Sequence, residues 1–95
     1  MKNLFERQKA AKEFLVGETV YIWYIGRNEE GRFLQVLQEE VTKIDEYGFV
    51  DMLALEETEA RHIGRTHHTK SPESVHRTRE AAEKQGNEFL AFLEV

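Results

Sequence analysis

Hydrophobic and polar positions change period several times along this chain, and each change marks an element. In residues 3–14, with Leu15 just beyond, Leu4, Gln8, Ala11 and Leu15 recur at 4-3-4 spacing with Phe5 and Phe14 flanking them, the pattern of a helix with a narrow apolar face. A face that narrow packs loosely or waits for a partner, and Gly17 ends the pattern as a helix stop. Residues 18–25, ETVYIWYI, are β-branched and aromatic almost throughout, which suits a pleated strand. Residues 26–31 form a turn with a glycine at each end, and 32–44 read as a second, longer strand in which Glu39 and Glu40 mark a bulge or bend. The tight turn DEYG at 45–48 leads into a third strand over 49–55. Three strands joined by short glycine turns predict an antiparallel meander.

Past residue 59 the pattern thins. Residues 61–70 are polar and histidine-rich, with Thr66 and Thr69 allowing a short extended piece. Pro72 punctuates a loop, and 74–77 fit one more short strand. Thr78 then has the character of an N-cap, with Glu80 in the first turn where the helix dipole favours negative charge. Ala81, Ala82, Gln85, Phe89, Leu90 and Leu93 follow on roughly one helical face. Gly86 costs such a helix about 1 kcal/mol relative to alanine, which leaves a second parse: a helix ending there and a closing strand over 89–95. The single helix is preferred. The fold class is therefore α+β, one domain over 1–95, with an N-terminal helix (1–15), a β core (16–77) and a C-terminal helix (78–95).

Composition narrows the class. Ninety-five residues allow a single modest core, and 40% hydrophobic with 33% charged residues is globular composition. The absence of cysteine excludes disulfides, thiol catalysis and cysteine metal sites. No apolar run approaches the roughly 18 residues of a membrane span, and the first residues are too polar for a secretory signal. The expectation is a soluble cytoplasmic protein with no membrane partner.

The net charge of −5 conceals segregation. Residues 1–12 carry four bases against Glu6, a net +3; residues 29–59 carry ten acids against Arg32 and Lys43, a net −8; residues 61–79 carry five bases against Glu73, a net +4. Such asymmetry steers encounters with partners more than it shapes the fold.

Alternation places Tyr21, Trp23 and Ile25 on one side of the first strand and Val20, Ile22 and Tyr24 on the other. One side must face the core; the other is either covered by a helix or exposed as a contact surface, where Trp23 or Tyr24 would be a binding hot spot. The partner-binding candidates are Tyr21, Trp23, Tyr24, Arg61, Arg65, His67, His68, Lys70, Arg77 and Arg79. Aromatics interleaved with bases also fit nucleic acid, against which stands the −8 segment on adjoining strands. His62, His67, His68 and His76 lie within fifteen residues, and with Asp51 or Glu73 a metal site is conceivable. Their spacing is not that of one helical face, and His67 and His68 point opposite ways if extended, so a solvated polar loop and no metal or other cofactor is expected. The carboxylates Glu39, Glu40, Asp45, Glu46, Asp51, Glu56 and Glu57 read as a solvated acidic face. Ser71 and Ser74 lie in no nucleophile elbow, and no glycine-rich loop precedes a helix. No enzyme activity is expected.

The strings VGETVYIW at 16–23, EVTKID at 40–45, YGFV at 47–50 and RTREA at 77–81 resemble a loose group of small bacteriophage and prophage proteins described as SH3-like β-barrels. The resemblance spans roughly residues 16–84 and rests on structural motifs. It implies a small antiparallel SH3-like barrel flanked by two helices, and a phage or mobile-element accessory protein in the bacterial cytoplasm. Such a protein would bind a host or phage protein stoichiometrically, for instance to inhibit host defence; a nucleic-acid-binding module is the alternative, small-molecule sequestration or hydrolysis ranks third, and self-association is allowed. The chain departs from the group in its basic N-terminal helix and its histidine-rich 61–76 segment.

Overall fold

Asn3 caps the first helix, its side-chain oxygen accepting the Glu6 N–H at 2.9 Å. The computed structural model describes residues 3–55 and 67–94. Helix α1 spans Leu4–Ala11, shorter than the apolar spacing suggested, and Phe14 turns inward just beyond it. Strand β1 (Thr19–Asn28) pairs along its whole length with β2 (Gly31–Ile44), from Thr19 opposite Glu40 to Asn28 opposite Gly31. Strands β3 (Val50–Ala54) and β4 (His67–Lys70) extend the sheet in sequence order, every pairing antiparallel. The sheet curls into a half-barrel and, with the two α-helices of the described residues, forms a small α+β fold.

The irregularity in β2 lies between Val41 and Lys43, not at Glu39 and Glu40, which stay in register with Ala54 and Leu53. Thr42 occupies the shift, and its hydroxyl donates to the Asp51 carbonyl at 3.2 Å. The strand expected over 74–77 contracts to one bridge. Pro72–Ser74 form a 3-10 turn that uses the Ser74 and Val75 N–H groups, so His76 alone reaches β1, exchanging both backbone hydrogen bonds with Tyr21.

Helix α2 (Arg79–Leu93) is capped by Thr78, whose hydroxyl accepts the Ala81 N–H at 3.2 Å. It runs unbroken through Gly86, so the helical parse holds and the strand parse does not. A Cβ on Gly86 would lie 2.4 Å from Leu34 Cδ1 and 3.1 Å from Trp23 Cβ. Close approach of helix to sheet is what the glycine allows, and it offsets the lower propensity.

Both faces of β1 are used. Val20 and Ile22 point into the core with Leu37, Val41, Val50 and Met52, closed over by Ala11, Phe14 and Val75. Burial at about 1.5–3 kcal/mol for each large side chain makes this cluster the main source of stability. Trp23 and Leu34 point the other way, against α2. The first strand's second face is thus the helix-covered one. Helix α1 buries only Ala11 but is fastened by polar contacts to the β2–β3 turn: Gln8 Nε2 donates to the Glu46 carbonyl at 2.5 Å and Arg7 Nε to that of Tyr47 at 2.9 Å. Gly48, at φ +85°, lets that turn approach, since a Cβ there would sit 2.7 Å from Gln8 N. Among the described residues no helix is long and apolar enough to cross a membrane.

Candidate functional site

Gln85 organises a groove between α2 and the outer edge of β1. Its side-chain nitrogen donates to the Glu73 carbonyl at 2.9 Å, which turns its oxygen toward Trp23 and His76. The indole N–H of Trp23 donates to that oxygen at 2.6 Å, and His76 Nε2 lies 2.8 Å from it. An oxygen can only accept, so His76 carries its hydrogen on Nε2. Two side chains and one backbone carbonyl are thereby held to one amide, and the Trp23 ring is fixed in place.

The groove is shallow and open to solvent, about 420 Å³ between Trp23, the Glu73–Ser74 turn and α2. Residues Gln85, Glu88, Phe89 and Phe92 supply its helical wall, and their i, i+3, i+4, i+7 spacing puts them on one stripe. Phe89 tilts over Trp23 with ring centroids 5.1 Å apart, a geometry favourable for aromatic pairs. Phe89 is nevertheless 43% exposed and Phe92 74% exposed. Glu73 and Glu88 are also exposed, so the apolar stripe carries a negative rim.

The other expected partner-binding residues do not gather here. Tyr21 is half-buried on β1 with the Arg79 guanidinium 5.2 Å from its ring centroid. Tyr24 is exposed on the opposite face of β1 from Trp23. Arg77 donates to Glu18 at 2.7 Å and to the Glu13 carbonyl at 2.8 Å, and stacks over Phe14 at 4.5 Å, so it fastens the α1–β1 connection to the segment before α2. The Leu15 N–H and then Arg77 hold the Glu18 carboxyl below its ordinary pKa, against an opposing effect of burial. Lys70 is half-buried at the end of β4. Arg61 and Arg65, with His62, lie outside the described residues.

The remaining histidines disperse as strand alternation requires. His67 is exposed and His68 buried on β4, whereas His76 belongs to the Gln85 cluster. His68 Nδ1 hydrogen-bonds the Glu39 carboxylate, which is fully buried in the core. Glu39 therefore departs from the expected solvated acidic face. Its parity announces this, because Leu37, Glu39 and Val41 alternate onto the inward side of β2. Among the described residues no three His, Asp or Glu side chains converge to hold a metal ion.

A second hollow of about 630 Å³ lies between α1 and the β2–β3 turn, with Phe14 and Ile44 beneath Lys12, Asp45 and Glu46. Its charges are mixed and Gln8 already spans it to Glu46. The Trp23 groove is the more distinctive surface. Gln85, Glu88, Phe89 and Phe92 are not among the expected site residues; the signal for them is their i, i+3, i+4, i+7 spacing. Compared with protein families, curated proteins and solved structures, the chain matches none.

Proposed function

We propose that this chain is a non-enzymatic interaction module that binds another protein stoichiometrically through the groove between α2 and β1. The observation that carries the reading is a preorganised aromatic wall left open. Trp23 is fixed by Gln85, Phe89 stacks on it, and Phe92 stands 74% exposed beside both. Ordered aromatics with exposed faces lose little entropy on binding and dominate interface energetics. The curled four-stranded sheet and the return of His76 to β1 support the SH3-like reading. The phage-like sequence strings extend the proposal to a phage or mobile-element product acting on a host or phage protein in a bacterial cell.

Nucleic-acid binding has weaker support. The groove is rimmed by Glu73 and Glu88, which repel phosphate, and Arg77 is committed to Glu18 and Phe14. Affinity capture from bacterial lysate, run in parallel with the chain and with a Phe89→Ser/Phe92→Ser variant, tests the proposal. A protein retained near one-to-one by the first and lost by the second is expected. Recovery only of nucleic acid, with steep salt dependence and no effect of the double variant, overturns it.

A further inference from the structure

The groove adjoins a second feature, the outer edge of β1. Tyr21 directs both its backbone groups away from β2: its N–H reaches the His76 carbonyl at 2.7 Å and its carbonyl takes the His76 N–H at 2.9 Å. In an antiparallel strand these directions alternate, so Trp23, Ile25 and Arg27 also point their N–H and C=O groups outward. Among the described residues, the single bridge to His76 is the only pairing on that edge. The edge continues regularly to Asn28, where the β1–β2 register is still unbroken, and it contains neither proline nor a bulge. Unpaired, regular edges are templates for a further strand, and folds commonly blunt them. Here the charge of Arg27 is the single such device within Trp23, Ile25 and Arg27.

Helix α2 packs across β1 and β2 and turns one stripe toward this same edge. Gln85 reaches His76 and the Glu73 carbonyl, both of which lie outside β1, so the stripe bearing Glu88, Phe89 and Phe92 faces that side. A strand laid along Trp23–Arg27 would therefore turn every second side chain toward the groove.

We propose that the outer edge of β1 beyond Tyr21 accepts an extended peptide of a partner protein as an added strand, one apolar side chain entering between Trp23, Phe89 and Phe92 and a Lys or Arg two positions away reaching Glu88 or Glu73. This deepens the interaction-module reading and rests on it. Backbone pairing supplies affinity and the groove supplies selectivity, the division of labour that strand addition uses. The two-residue spacing follows from strand alternation. The basic requirement follows from charge complementarity, since both exposed acids on the rim would be opposed by a cation and would repel an acidic segment.

The test is panning of a random peptide library, about ten residues long, on the full chain. Selected peptides are then synthesised with N-methyl groups at alternate positions in either of two frames. Binding is read from the emission of Trp23, the sole tryptophan. Selected peptides are expected to carry a large apolar residue two positions from Lys or Arg. One methylation frame should weaken binding about tenfold or more, and the other should leave it unchanged, because only alternate N–H groups face β1. Phe92→Ser and Glu88→Lys should each weaken it about tenfold with the melting temperature unchanged, as both side chains are exposed. Peptides that need Phe92 yet tolerate both frames overturn strand addition and leave the interaction groove standing. Failure to select any peptide, or selected peptides indifferent to Phe92, overturns both. A dimer that Phe92→Ser dissociates assigns the edge to a second copy and overturns the peptide proposal.

Discussion

The indole N–H of Trp23 donates to the side-chain oxygen of Gln85 at 2.6 Å, joining β1 to α2 across 62 positions of sequence. Packing alone would let the ring shift with the helix; the hydrogen bond sets its angle and depth. Gln85→Leu keeps the volume and removes the acceptor for both Trp23 and His76. Leaving partly buried donors without partners should cost roughly 1–3 kcal/mol in denaturant unfolding. Trp23 emission should also shift to the red as water replaces the amide. An unchanged spectrum and midpoint would show that the amide is incidental.

Gly86 gives a test in which two effects oppose. Alanine in a helix interior gains about 1 kcal/mol over glycine. Against this, the new methyl would meet Trp23 Cβ and Cγ at 3.1 Å, near the backbone where the ring cannot swing away, and Leu34 at 2.4 Å. Overpacking costs about 1–3 kcal/mol, so Gly86→Ala should be net destabilising by about 1 kcal/mol. Thermal unfolding decides the sign, and a higher melting temperature would show that α2 can lift from the sheet freely.

Glu18 links stability to pH. Its folded-state pKa is depressed by the Leu15 N–H and by Arg77, so the ionised form is favoured in the folded protein. The stabilisation is complete above the ordinary carboxylate pKa and disappears as pH falls through the lowered folded value. Glu18→Gln should flatten that part of the acid limb and leave the remaining carboxylates titrating. Because Arg77 is half-exposed, with 50% of its side chain accessible, the ion pair itself contributes only about 0.5 kcal/mol at neutral pH. Denaturant midpoints measured in steps from neutral pH downward check this; parallel acid limbs for variant and parent would refute the linkage.

The contact between buried Glu39 and His68 should behave as a coupled unit. We expect Glu39→Leu and His68→Leu each to be destabilising, with a double-mutant-cycle interaction energy above about 1 kcal/mol, because each single change removes the buried hydrogen bond between them. Additive free energies would show that the two side chains act separately.

Much of the fold was legible in local pattern. The aromatic β-branched run at 18–25 and the turn at 45–48 encode a meander because strand propensity and turn chemistry act over a few residues, whereas the turn expected over 26–31 shortens to Glu29–Glu30 because the first strand continues through Gly26 to Asn28. Thr78 capped the final helix as its residue type and position implied. The bulge was misplaced for a physical reason: adjacent acids look like a disruption in one dimension, yet Glu39 is accommodated by His68 from β4, while Thr42 takes the shift through Asp51.

The site was less legible because its parts are distant in sequence. Trp23 stood out as the only tryptophan, but Gln85 looked like one polar residue on an otherwise apolar stripe. Its role exists only once His76, Glu73 and Trp23 converge on it. Arg77 and Arg79 looked available as a basic contact surface, whereas Arg77 is absorbed by Glu18, Glu13 and Phe14.

By itself the sequence determined most of the strands and both described helices, the approximate places of the glycine turns, and that a chain without cysteine must rely on its packed core. Propensity, capping and alternation are short-range effects, and they are written in neighbouring residues. Only the tertiary structure decided which apolar face would be covered and which left open. It packed Gly86 of α2 tightly enough on Trp23 to cover that side of β1, and left Phe89 and Phe92 beside an edge that, among the described residues, pairs only at Tyr21. That choice depends on long-range packing and on the pairing of backbone groups tens of residues apart, which no local pattern carries.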